Sequence, residues 1–140
     1  MADVAETGRR HDAAFDSKDD EARKEVEAPD IEVILPGGVV LHGSEEALGF
    51  LKVFWEALPD AKLTHENEVT AGDTVVFEGA MTGTHTGTFR SPQGDIPASG
   101  NRVNARYVSV KKIRDGKVVS DHVYFDQMEV LQQIGAMPAP

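Results

Sequence analysis

Three side chains in this sequence are the candidates for moving protons at a site: Asp121, His85 and His11. Asp121 lies in KVVSDHVYFD, where strand alternation places it on one face with Val119, Val123 and Phe125. A carboxylate among apolar neighbours must be paired, hydrogen-bonded or kept neutral. Burial raises its pKa, which suits general acid or base work near neutral pH. Two readings stand for it: the base of an enclosed site, or a rim carboxylate paired with Lys111 or Arg106. His85 is the centre of GTHTG, residues 83–87. The flanking glycines can bend the strand and aim the imidazole at a cavity. Equally, the ring can hold the loop that follows. His11 precedes Phe15 by one helical turn and shares its face, so it either meets a substrate carbonyl or sits exposed on a charged helix.

The strands that present these groups also carry hydrogen-bond donors and apolar walls. In 103–113, alternation puts Val103, Ala105, Tyr107, Ser109, Lys111 and Ile113 together. In 74–85, Val75, Phe77, Gly79, Met81, Gly83 and His85 form the inward set. Tyr107 and Ser109 can orient a ligand. Phe15, Trp55, Phe77, Met81 and Val123 supply apolar wall. His42, His65 and His122 fall into no metal-ligand spacing, and no H-x-H, H-E-x-x-H, P-loop, G-x-G-x-x-G or G-x-S-x-G pattern occurs. Neither a metal nor a cofactor is expected.

The elements follow from periodicity. Two helices are predicted at about 3–17 and 19–28, hinged near Ser17-Lys18-Asp19, with Gly8 weakening the first. DIEVILPGGVVLHG reads as two strands turning at Pro36-Gly37-Gly38. Ser44 is placed to N-cap a helix whose apolar face is Leu48, Leu51, Phe54, Trp55 and Leu58, and Pro59 stops it. Four strands follow, with a long loop over 88–101 and a strong hairpin turn at Asp115-Gly116. Asp126 caps a short last helix that ends at Gly135. The order is α+β, with helices on one face of a sheet. A chain of 140 residues suits one domain, 1–140, with loose tails at 1–3 and 136–140.

Composition narrows the partners. The net charge of −10 repels phosphate backbones and anionic lipid, so neither nucleic acid nor a membrane is an expected partner. There is no cysteine, which excludes disulfides and thiolate chemistry and fits a cytoplasmic setting. No stretch has the length of a membrane span, and MADVAETGRR has no signal-peptide core.

Taken in order, AFDSKDD, EAPDIEV, LPDAKL, AGDTVVFEG, GTHTGTF, IRDGKVVSDHVYFDQ and LQQIG resemble the SnoaL-like polyketide cyclases, or ester cyclases, of the nuclear transport factor 2-like superfamily. The resemblance implies a cone: a curved antiparallel sheet wrapped around N-terminal helices, open at one end onto an apolar pocket. It also implies a homodimer through the outer sheet face, for which Val76, Val108 and Val110 are the expected contacts. In ring-closing members the acid–base aspartate aligns with Val123 and its partner histidine with Ser109, so this chain departs at both. Related ketosteroid isomerases keep a hydrogen-bonding tyrosine at the position His11 occupies. The functional expectation is therefore a cofactor-independent cyclase or isomerase acting on a small apolar carbonyl compound. Asp121 is its base, His85 or His11 its polarising group, and Tyr107 and Ser109 orient the substrate. The alternative is a ligand-binding or scaffold protein of the same fold without chemistry.

Overall fold

The computed structural model describes residues 3–91 and 94–137. Two helices open it, α1 (Val4–Ser17) and α2 (Asp20–Val26), and Lys18 in the left-handed conformation makes the hinge between them. Strands β1 (Glu27–Leu35) and β2 (Val39–His42) form the hairpin around Pro36-Gly37-Gly38, followed by α3 (Ser44–Ala57). Then come β3 (Lys62–Ala71) and β4 (Thr74–Thr84), a small hairpin of β5 (Phe89–Ser91) and β6 (Gly94–Ile96), the long pair β7 (Arg102–Arg114) and β8 (Lys117–Phe125), and α4 (Gln127–Gln133). The stretch expected as a plain loop, 88–101, thus carries a two-stranded ladder of its own.

Six strands form the main sheet in the order β2-β1-β8-β7-β4-β3. Its hairpins are antiparallel, as their short turns require, with Asp115 and Gly116 both at positive φ in the turn between β7 and β8. The sheet as a whole is mixed rather than antiparallel, because β1 docks against β8 in parallel. Side-chain alternation orients each strand's faces but does not set the relative direction of two strands brought together from opposite ends of the chain.

The alternation holds along β7, where Val103, Ala105, Tyr107, Ser109, Lys111 and Ile113 are all buried. Along β8 it breaks once. Lys112 pairs with Ser120 but Ile113 pairs with Val118, so Val119 is an extra residue in the ladder. Val118 turns inward and is fully buried, against the expectation that Val119 shares the face of Asp121.

Two apolar clusters result. One joins the end of α3 to Met81, Val103, Ala105 and Tyr107; the other packs Ala5, Ile31, Val75, Phe77, Ile113 and Val118. Gly8 serves the second, since a Cβ there would lie 2.7 Å from Val75 and 2.9 Å from Phe77. Its lack of a side chain seats α1 directly on the sheet.

Local capping differs from expectation at one place. Ser44 does not cap α3, which begins after Gly43 without a side-chain cap, and its hydroxyl goes elsewhere. Within the described part of the expected tails, Asp3 accepts from the Glu6 N–H and the Ala136 N–H donates to the Leu131 carbonyl at 2.8 Å. Residues 1–2 and 138–140 of the expected tails lie outside the described residues. Asp126 caps α4 through the Glu129 N–H at 3.1 Å. Among the described residues no helix is long and apolar enough to cross a membrane.

Candidate active site

Between the two apolar clusters lies a belt of buried charge. Lys111, at 1% exposure, is its centre. Its ammonium donates to Asp12 Oδ1 at 2.9 Å, to Asp121 Oδ2 at 2.8 Å and to His11 Nδ1 at 2.9 Å. All three N–H groups are thereby used. Ser109 donates to the other Asp121 oxygen at 2.6 Å. Since Lys111 occupies Nδ1 of His11, the ring proton lies on Nε2, which faces Glu27 Oε1 at 2.8 Å. Glu27 is held from its far side by Arg23 and by the Ser44 hydroxyl at 2.7 Å.

Register explains the central contact. Lys111 is opposite Asp121 across the β7–β8 pair, and Ser109 is two residues back on the same face. Helix α1, seated closely at Gly8, brings His11 and Asp12 onto this face.

The electrostatics are those of mutual compensation. Burial opposes ionisation of Asp12, yet the Lys111 charge and the hydrogen bond from His65 hold its carboxyl well below the usual carboxylate range. Burial likewise opposes the Lys111 charge, and Asp12 and Asp121 overcome it and push the ammonium above the ordinary lysine value. Glu27 is lowered despite burial, chiefly by His11. Tyr107 is raised by burial and by the Asp12 and Asp121 carboxylates, so it stays a phenol and a donor. Its hydroxyl makes a long 3.5 Å contact to Asp12.

This belt forms the floor of a cavity of about 150 Å³. His11, Asp12, Tyr107, Ser109, Lys111 and Asp121 line it, and its walls are apolar: Phe15 from α1, Phe50 and Phe54 from α3, Met81 from β4, Val123 and Phe125 from β8. The structure thus brings Asp121, His11, Phe15, Met81, Tyr107, Ser109 and Val123 around one cavity. Three expected residues lie outside its lining. Phe77 belongs to the second cluster, where it stacks on His65. Trp55 packs against Phe15 at 5.9 Å between ring centroids.

His85 is the third. It is 1% exposed, and its Nδ1 receives the Ser99 N–H and hydroxyl, while its backbone pairs with Gly100 and Asn101. The ring anchors the segment after β4, and its Nε2 has no hydrogen-bond partner among the described residues. The glycines of GTHTG serve packing rather than aim: a Cβ at Gly87 would lie 1.8 Å from the Glu56 carbonyl oxygen. Burial lowers the His85 pKa.

Asp12, Lys111, Glu27 and Arg23 were not anticipated as site residues. Lys111 had a signal, a cation on the same inward face as Tyr107 and Ser109. Asp12, Glu27 and Arg23 had none, because each reaches the belt from a helix or a strand start whose placement depends on tertiary packing. Among the described residues no group of three or more His, Cys, Asp or Glu side chains is arranged to hold a metal ion.

A family model described as SnoaL-like polyketide cyclase matches residues 5–134. The protein belongs to the SnoaL-like polyketide cyclase family. Solved structures agree with this. A candidate SnoaL-like polyketide cyclase from Jannaschia sp. CCS1 is 27% identical with a TM-score of 0.85, over 96% of this chain and 93% of that one. Wild-type IdmH, a candidate polyketide cyclase from Streptomyces antibioticus, is 26% identical with a TM-score of 0.82, over 96% and 99%. A protein with a ketosteroid isomerase-like fold from Catenulispora acidiphila, in complex with trimethylamine, is 21% identical with a TM-score of 0.76, over 93% and 92%, and shows the shared fold. No curated protein matches the sequence. In this SnoaL-like protein Val123 and Ser109 stand side by side across the β7–β8 pair, and Ser109 carries its hydrogen bond to Asp121.

Proposed function

We propose that this protein binds a small, largely apolar carbonyl compound in the cavity and moves protons on it, as a cyclase or isomerase, without a cofactor. The observation that carries the reading is Asp121. Its carboxylate, 7% exposed, borders an apolar cavity and is fixed by Ser109 and Lys111 with lone pairs to spare. Asp121 takes a proton from the carbon beside the carbonyl, the C–H electron pair becomes the C=C bond of the enolate, and the C=O π pair moves onto the oxygen. Tyr107 donates a hydrogen bond to that oxygen. The enolate carbon then attacks a second carbonyl of the same molecule and Asp121 returns its proton to the alkoxide formed, or Asp121 returns the proton to a different carbon of an extended enolate. A cavity of about 150 Å³ takes one ring, as an engineered cavity of that size takes benzene; any larger ligand extends to the mouth.

A second reading, a ligand-binding protein without chemistry, has one observation in its favour. Every N–H of Lys111 and both ring nitrogens of His11 are already satisfied within the protein, which leaves neither to polarise a substrate carbonyl.

The test is proton exchange on 2-indanone in D2O, followed by NMR. Deuterium should enter the α positions faster with the protein than without it. Asp121→Asn should lower that acceleration by about a hundredfold or more. Equal acceleration by the variant removes Asp121 from the mechanism, and binding of 2-indanone without any acceleration favours the second reading.

The outward valines Val76, Val108 and Val110 are the proposed homodimer contacts. Val76 pairs across strands with Val110 and with Val69, which is 61% exposed. By sedimentation the protein should be dimeric and Val108→Arg monomeric; a monomeric unaltered protein ends this proposal.

A further inference from the structure

A second histidine reaches the charged belt from the side opposite His11. His65 is on β3, one of the two edge strands of the sheet, and lines no part of the cavity. Its Nε2 is 2.7 Å from Asp12 Oδ2. The ring stacks on Phe77 with centroids 4.1 Å apart and planes 14° apart, which fixes the direction of that nitrogen. The side chain is 25% exposed, so it touches water. Asp12 Oδ2, the same oxygen, receives the long contact from the Tyr107 hydroxyl, while Oδ1 is held by Lys111. Asp12 therefore stands between a hydroxyl that lines the cavity and an imidazole that meets solvent. The other charged groups near His65 are Asp16 on α1 and Glu68 on β3, and Arg9 holds Glu68 at 2.8 Å.

We propose that His65 and Asp12 form a proton relay linking Tyr107 in the cavity to bulk solvent, with His65 as its solvent end. As the Tyr107 hydroxyl gives its proton to a ligand oxygen, or in the free protein to water in the cavity, a proton moves from His65 Nε2 to Asp12 Oδ2 and on to the tyrosine oxygen. A hydronium ion or buffer acid protonates the other ring nitrogen of His65. Only O–H and N–H bonds change, and nothing is oxidised. The long Tyr107–Asp12 contact suits this role, because the hydroxyl can turn to a ligand oxygen and return. Tyr107 is 6% exposed, and the relay gives its hydroxyl a route to water that does not pass through the cavity mouth. His65 is a positioning and relay residue; it touches no ligand. Its relevance to turnover rests on the reading of Tyr107 as donor, but its existence does not.

The experiment measures hydroxyl exchange in protein labelled with 13C at tyrosine Cζ, in mixed H2O and D2O, by the isotope shift on that carbon. The chain has two tyrosines, and Tyr124, 56% exposed, is the internal reference. His65→Gln keeps an N–H donor for Asp12 yet cannot pass a proton. It should slow Tyr107 exchange about tenfold or more and leave Tyr124 unchanged. His65→Ala should do the same, and added imidazole should restore the rate. Tyr107 exchange within about twofold of the unaltered protein in His65→Gln, or faster, overturns the relay; so does failure of imidazole to accelerate exchange in folded His65→Ala. No ligand is used, so this outcome and that of the 2-indanone assay are independent.

Discussion

His11 and His85 sit in two regions that treat an imidazole in opposite ways. On the cavity floor, His11 has a charged partner on each ring nitrogen, Lys111 and Glu27, inside a belt whose carboxylates and cations offset one another. At the end of β4, His85 is more deeply buried and its ring meets one serine, with no charged partner among the described residues. The first region uses buried polarity to hold functional groups in fixed positions around an open space. The second uses it to fasten a loop. A buried histidine therefore indicates a site only where other titratable groups converge on it.

Removing the centre of the belt should have the largest effect. Lys111→Met leaves Asp12 and Asp121 buried without their cation, and unfolding by urea should show a loss of about 3–5 kcal/mol. The pH limits of this stability follow from the shifts. The Lys111 contribution is complete below its unfolded value of about 10.5 and fades as pH rises beyond it, because the folded value is raised. The Asp12 contribution is complete above about 3.8 and fades as pH falls, because the folded value is lowered. The fall on the alkaline side should be smaller in Lys111→Met, where the raised Tyr107 hydroxyl alone of the two still contributes to it.

The loop anchor should matter less. His85→Ala removes the hydrogen bonds from Ser99 and opens a cavity, a loss of about 2 kcal/mol by the same measurement. A loss as large as that of Lys111→Met would erase the contrast between the two regions. The smallest effect is in acid. His85 has a folded value below its ordinary 6.5, so its contribution is present above pH 6.5 and is lost as pH falls through the folded value. Melting temperature should drop less between pH 7.5 and 5.5 in His85→Ala than in the unaltered protein; an equal drop would assign the acid sensitivity to other groups.

Much of the frame was legible in the residues. The inward set of β7 was readable because an alternating strand with one buried face leaves little choice of which side chains turn in. The Pro36-Gly37-Gly38 and Asp115-Gly116 turns and the Asp126 cap are local signals whose physics is complete within four residues. Ser44 misled for the converse reason: a serine before a helix has a local use, and here a distant carboxylate, Glu27, took the hydroxyl instead. The extra residue at Val119 was not readable, because a bulge is a property of a pair of strands and not of one.

What the sequence alone determined is the composition of each wall: Asp121, Lys111, Ser109 and Tyr107 turn inward because their strands alternate and their apolar neighbours must be buried. Tertiary structure decided which of those groups meet. Register put Lys111 opposite Asp121, the seating of α1 brought Asp12 and His11 to them, and edge strand β3 delivered His65, while GTHTG passed against α3 and took His85 away from the cavity. The physical reason is range. Alternation and capping act over a few residues, whereas a buried charge must find its partner anywhere in the chain.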